Sequence, residues 1–202
     1  MKKLFLIFGV VIAGSPFVSC KKMKDDIKDL KNQVNNLNRQ LGADEPITAT
    51  TTFEDDNGAT RTVTGTYYFK STDYYSSRMT KNSDGSYNIR IERFEGADGT
   101  DGVDLQFAYN PTTKAVTSIV GTHDWTDADP YQNYAVYSGT YTGLSMQVTI
   151  DKFNLETGDI SLKFSASGTA AYTAAVTDNP NPGKPCSTTF SFTGKLKAFE
   201  RN

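Results

Sequence analysis

One histidine, two cysteines and one tryptophan are all that the 202 residues hold of those three types. A zinc site built on Cys and His needs more ligands than that, and any catalytic set requiring two histidines is excluded. Charge of one sign is also missing: Lys+Arg total 21 against Asp+Glu 23, a formal net charge of -2. Proteins that bind nucleic acid or other polyanions carry a clustered basic excess, so no nucleic-acid partner is expected. Hydrophobic residues are only 37% of the chain, and the longest apolar run, residues 4–14, falls short of the roughly 20 residues a bilayer span needs. What the chain does hold is aromatic: 11 Tyr, 12 Phe and the single Trp, 12% in all. A disordered chain carries fewer. Few aliphatic residues beside many Tyr, Phe and Thr suit strands, whose pleated surface accepts aromatic and β-branched side chains.

The amino terminus reads as an export signal. Met1-Lys2-Lys3 is basic, Leu4 to Gly14 is apolar, and Ser15-Pro16-Phe17-Val18-Ser19-Cys20 comes next. A basic start, an apolar stretch of about 7–15 residues and small residues at the cut define a secretory signal. The ending resembles a bacterial lipobox, in which a small residue precedes an obligatory cysteine. Val18 and Ser19 fit it, while Phe17 stands where Leu is usual. The resemblance implies cleavage after residue 19 and acylation of Cys20 on its thiol and amine, which makes membrane lipid the first partner. The alternative is an ordinary signal peptide with an incidental cysteine. Loss of Lys2 and Lys3 leaves 19 basic against 23 acidic residues, a net charge of -4. With Cys20 consumed, Cys186 has no partner within the chain and is expected as a buried or loop thiol, the alternative being an intermolecular bridge.

Residues 20–42 form the anchor and a heptad helix. Met23, Ile27, Leu30, Val34, Leu37 and Leu41 fall at spacings of 4, 3, 4, 3 and 4. Ile27, Val34 and Leu41 take the a positions, and Met23, Leu30 and Leu37 the d positions. β-Branched residues at a with Leu at d favour a parallel dimer, and Asp26 at g can pair with Lys31 at e between chains. A homo-oligomeric stalk is one reading; a solitary amphipathic helix is the other. Gly42 and Pro46 stop the helix, and 43–46 is the linker. At about 1.5 Å per residue the helix would hold the rest of the chain roughly 30 Å from the bilayer. Lys21-Lys22-Met23-Lys24-Asp25-Asp26 resembles the charged export tags of Bacteroidetes surface lipoproteins. That likeness implies the outer membrane, on its surface or periplasmic face.

From 47 to 202 the pattern is all β. Apolar residues alternate with polar ones at Tyr87, Ile89 and Ile91; at Val103, Leu105, Phe107 and Tyr109; at Leu144, Met146, Val148 and Ile150; and at Ile160, Leu162 and Phe164. Period-2 alternation marks one-sided strands. Asn57-Gly58 signals a two-residue type I′ hairpin, 170–177 is a further candidate strand, and 178–185 (DNPNPGKP) is a breaker loop. About ten strands result, expected as an antiparallel meander closed into a barrel or stacked as a sandwich. The pieces Ile150-Asp151-Lys152-Phe153, Asn154-Leu155-Glu156-Thr157-Gly158, Leu162-Lys163-Phe164 and Phe192-Thr193-Gly194-Lys195 resemble the carboxy-terminal halves of small Bacteroidetes lipoproteins. That resemblance implies a calycin-like or related β-domain.

Three groups are candidate sites. Asp98, Asp101 and Asp104 sit in a Gly-rich acidic stretch that could offer oxygens to Ca2+; the alternative is a solvated loop of turn-forming Asp-Gly pairs. His123 and Asp124 open a polar stretch running to Tyr131, expected as a long loop. A histidine beside an aspartate suggests a base and its orienter, yet neighbours on a strand point to opposite faces and no nucleophile motif accompanies them. No catalytic residue and no cofactor is therefore assigned. Trp125, Tyr131 and Tyr134, with Tyr74 and Tyr75, could stack on a sugar or grip a protein of the outer membrane; the alternative is plain packing. The function expected is a non-enzymatic, lipid-anchored binding or assembly module. A calycin-like carrier of a small apolar ligand is the alternative, and a glycan-active enzyme a third.

Overall fold

A computed structural model of the protein describes residues 22–23, 26–27, 30, 45–69, 77–95, 101–126, 132–176 and 179–199. The chain divides into two compact units, Met1–Arg39 and Gln40–Asn202. In the first, Lys22, Met23, Asp26, Ile27 and Leu30 are helical, and the three apolar members of this set are exposed. Cys20, Val34, Leu37 and Leu41 lie outside the described residues.

The second unit is built from strands β1 (Ile47–Glu54), β2 (Thr60–Tyr67), β3 (Ser77–Lys81), β4 (Tyr87–Phe94), β5 (Gly102–Tyr109), β6 (Val116–Thr126), β7 (Gln132–Tyr137), β8 (Leu144–Phe153), β9 (Asp159–Gly168), β10 (Cys186–Lys195) and β11 (Lys197–Phe199). Among the described residues of this unit one short helix, α1 (Ala170–Ala175), interrupts them. The strands form two sheets, in the orders β2-β1-β10-β9-β8 and β11-β3-β4-β5-β6-β7. Neither closes on itself, so the fold is sandwich-like and the barrel expectation is corrected. The meander is corrected as well. β3 to β7 and β8 to β10 each run as meanders, but β10 returns beside β1, and β11 pairs parallel with β3 in the other sheet.

Strand alternation divides each strand between core and solvent. In β9, Ile160, Leu162, Phe164 and Ala166 are buried while Ser161, Lys163, Ser165 and Ser167 face out. The same rule in β1 and β2 places threonine pairs on the outer face, where Thr48–Thr66, Thr50–Thr64 and Thr52–Thr62 are hydroxyl-bonded at 3.2, 3.0 and 3.2 Å. The interior is largely aromatic, with Phe164 tilted against Phe190 at 4.7 Å and Tyr137 stacked on Tyr172 at 6.4 Å between ring centroids. Arg93 is buried too. Its guanidinium donates to Ser77 Oγ and the Glu92 carbonyl, each at 2.7 Å, and to the Glu45 carbonyl at 3.2 Å, and lies 4.8 Å over the Phe192 ring.

Three local expectations change. Residues 170–177 begin as α1 rather than a strand: alanine is the best helix former, and Tyr172 and Thr173 anchor the turn by donating to the Val136 carbonyl at 2.9 Å and the Lys184 carbonyl at 2.8 Å. The β1–β2 turn is not type I′, because Gly58 alone has a positive φ, 78°. The Asp55 carboxylate instead organises a longer turn, accepting from the amides of Asn57 and Ala59 at 2.9 Å each. Finally, His123 to Thr126 belong to β6 and not to a loop.

Candidate functional site

The correction at β6 decides where chemistry can occur. Within this strand Gly121, His123 and Trp125 point into the sandwich, and Thr122 and Asp124 point out. His123 and Asp124 therefore point to opposite faces, as strand neighbours must, because both sit on β6.

Inside, His123 is fully buried and belongs to a line of polar groups that joins the two sheets. Tyr67 Oη lies 2.7 Å from His123 Nε2, and Thr51 Oγ1 lies 2.6 Å from Nδ1. Thr51 contacts Thr188 Oγ1 at 2.6 Å, Thr188 contacts Tyr137 Oη at 2.9 Å, and Tyr137 contacts Cys186 Sγ at 3.1 Å. One direction uses every proton once. Cys186 donates to Tyr137, Tyr137 to Thr188, Thr188 to Thr51 and Thr51 to Nδ1; Nε2–H donates to Tyr67, and Tyr67 to the Asp124 carbonyl at 3.4 Å. The reverse direction, with Tyr67 donating to Nε2, Nδ1–H to Thr51 and so on to Cys186 Sγ, is equally complete, and in both the imidazole is neutral with each ring nitrogen engaged. Burial holds the imidazole pKa down at about 4 against a weaker opposing pull from Asp101. Burial pushes the Cys186 thiol up to about 11, and the Tyr67 and Tyr137 phenols well above their usual range. A neutral imidazole whose partners are all fixed, with its thiol kept protonated, is a structural tie between sheets rather than a base or nucleophile.

Outside, the register of the six-stranded sheet assembles a row. Tyr68 bridges Phe94, Phe94 pairs with Gly102, Gly102 with Asp124, and Asp124 with Tyr134. Directly paired residues share a face, so the row is roughly 19 Å long, four interstrand spacings of about 4.8 Å. Tyr68 and Tyr134 at its ends are 56% and 40% exposed. Gly102 is closely packed, since a β-carbon there would stand 2.5 Å from the Arg93 carbonyl oxygen and 3.2 Å from Phe94 Cδ1. Burial raises the Asp124 carboxyl to about 6, helped by repulsion from Asp104 and Asp101. The adjoining row is Glu92, Asp104, Thr122 and Val136. Arg90 crosses it, donating through Nε and Nη2 to the two Asp104 oxygens at 3.3 and 3.2 Å and pairing with Glu92. Gln106 Nε2 donates to Asp104 at 2.7 Å. The outcome is a face with two exposed phenol rings, one half-buried ring and carboxylates held at fixed positions. Aromatic rings offer rigid area at low entropic cost, and carboxylates accept hydroxyl protons.

The fold separates the residues singled out by sequence. Trp125 is a core residue, 3% exposed, its ring 5.9 Å from Phe53 and 5.0 Å from His123, and it cannot reach a ligand outside. Its Nε1 is buried with no hydrogen-bond partner. Tyr134 does stand on the open face. Tyr131, Asp98, Tyr74 and Tyr75 lie outside the described residues. Asp101 caps Thr126, accepting from its amide and hydroxyl at 2.7 Å each, whereas Asp104 is held by Arg90. The two aspartates serve different partners, and among the described residues no three His, Cys, Asp or Glu side chains are grouped to hold a metal ion. Tyr68 and Phe94 join Tyr134 without having been expected from the sequence. The outward phase of the Tyr87–Phe94 alternation could have found Phe94, while Tyr68 depends on a cross-strand register that no local pattern carries. Comparison with protein-family profiles, with curated proteins and with solved structures gives no match.

Proposed function

We propose that the protein is an exported lipoprotein, anchored to the outer membrane through Cys20, whose β-domain is a non-enzymatic binding module held off the bilayer by a helical stalk. Glycan is the ligand class that the outer face of the six-stranded sheet suits best. The observation carrying this reading is the row Tyr68, Phe94, Asp124 and Tyr134: apolar ring faces match the C–H face of a sugar ring, and Asp124 between them accepts from its hydroxyls. The carrier alternative loses ground because the space between the sheets is filled by aromatic side chains and by the His123 line. A glycan array probed with the full chain tests the proposal, followed by titration of any hit against Tyr134→Ala and Tyr68→Ala. Each substitution is expected to weaken binding about tenfold, equivalent to about 1.4 kcal/mol, while Thr189→Ala on the opposite outer face leaves it unchanged. No retained glycan, or equal binding by all three variants, rejects the site.

A further inference from the structure

β8 is the edge of the five-stranded sheet and pairs only with β9 among the described residues. Exposed edges are normally blunted by charge, proline, bulges or shortness. Two of the other edges follow that rule. β2 carries Arg61 at an inward-facing position, opposite buried Phe53 and ion-paired to Asp55 at 2.9 Å. β11 has three residues; β7, with six, is uncharged too but is the shorter edge. β8 has ten, and its stretch from Leu144 to Ile150, LSMQVTI, contains no charge, proline or glycine. The guards begin only after it, with a register shift between Ile150 and Lys152 and the Asp151–Lys163 ion pair.

This unguarded stretch is a hydropathic palindrome. Leu144, Met146, Val148 and Ile150 share the inward face, while Ser145, Gln147 and Thr149 are exposed on the other. Rotation about a two-fold axis at Gln147 sets Leu144 opposite Ile150, Met146 opposite Val148, Ser145 opposite Thr149 and Gln147 opposite itself. Antiparallel pairing of the stretch with its own copy therefore keeps every apolar residue on the apolar face. Space for the incoming side chains exists. A groove of about 480 Å3 runs beside Leu144 and Met146, with Thr117 to Val120 and Gly139 to Tyr141 as its other wall. That part of β6 precedes the β7 pairing, which begins at Gly121. Leu144, Met146 and Ile150 are only half-buried in the single chain.

We infer that the free edge of β8 is a dimerisation surface whose occupant is β8 of a second copy, joined in a two-fold antiparallel pair centred on Gln147. The pairing is isologous and leaves the guarded β2 at both outer ends, so it closes at two copies instead of propagating. It does not depend on the heptad or on the glycan row. Its test is Gln147→Cys in the full chain under mild oxidation, with Thr64→Cys on the opposite edge and the unsubstituted chain as controls. Gln147→Cys is expected to yield a disulfide-linked dimer as its main product and the controls little. A heptad oligomer would bring both positions together equally, so equal cross-linking overturns the inference. Hydrogen exchange gives a second reading. The amides of 144–150 should lose protection in Gln147→Lys and in Gln147→Glu, which place like charges face to face, and regain it when the two are mixed. Unchanged protection in either single variant, or no recovery in the mixture, also overturns it.

Discussion

Thr51 Oγ1 and His123 Nδ1 lie 2.6 Å apart across the sandwich, one on each sheet. Both side chains are fully buried, and through Tyr67 and Thr188 the contact becomes a continuous polar seam in a largely aromatic interior. Such a seam stabilises only when complete, because each orphaned buried group costs about 1–3 kcal/mol. Substitution His123→Ala opens a cavity and orphans two hydroxyls at once. Equilibrium denaturation should show a loss of about 3 kcal/mol or more. A loss under about 0.5 kcal/mol, the range of exposed surface positions, would mean that the histidine is not locked in this seam.

The pH dependence has two opposing parts. His123 titrates at about 4 in the folded chain and near 6.5 when unfolded, so the unfolded state binds more protons between these values. Its contribution is complete above pH 6.5 and is lost as pH falls towards 4. Asp124 is the reverse: raised to about 6 from 3.8, it favours the folded state below pH 3.8 and loses that contribution as pH rises through 6. The two slopes offset between pH 4 and 6. Asp124→Asn should expose a steeper loss of stability on acidification in that window, and His123→Gln should reverse its sign. Denaturation midpoints measured at pH 4, 5, 6 and 7 check both, and parallel profiles for the two variants would contradict the account.

At Gly121 the two sheets approach closely. A β-carbon there would stand 2.3 Å from Phe164 Cζ, and Phe164 is itself buried against Phe190 and Tyr137. Gly121→Ala is expected to destabilise by about 1–3 kcal/mol through overpacking. Pairing it with Phe164→Leu should recover part of the loss, which a double-mutant cycle would read as coupling.

Cys186 should resist thiol reagents in the folded chain at pH 8, since its pKa of about 11 and its burial leave almost no accessible thiolate. Labelling followed against denaturant should track global unfolding. Fast labelling in buffer would place the thiol outside the seam. Cys20 answers a different question: Cys20→Ala should abolish incorporation of a labelled fatty acid and release the protein from the membrane fraction.

Much of this architecture is legible along the chain, because a strand with one wet face announces itself residue by residue. Ile89 and Ile91, Leu105 and Phe107, and Leu162 and Phe164 all lie buried where alternation puts them. The expectation of a loop at His123 and Trp125 fails for a physical reason. The run His-Asp-Trp-Thr-Asp is polar enough for a loop, and only partners on other strands make a histidine acceptable in a core. Those partners, Thr51 and Tyr67, stand 72 and 56 residues away. The α1 segment misleads in the opposite way, since Tyr172 and Val176 punctuate alanines at intervals compatible with either period. Barrel against sandwich depends on which edges meet. That is set by β10 returning to β1 across more than a hundred residues, and no local spacing records it.

The position of β1 has a mechanical meaning. It is the first strand after the amino-terminal segment, yet it lies inside its sheet, with eight residue pairs to β2 on one side and five to β10 on the other. A load applied through an amino-terminal tether acts along this strand. It must shear both ladders together, because neither flank can be unzipped one bond at a time. The Arg93 clasp on the Glu45 carbonyl meets the load before the ladders do. A chain pulled from its amino-terminal end would thus resist being unravelled strand by strand from that side.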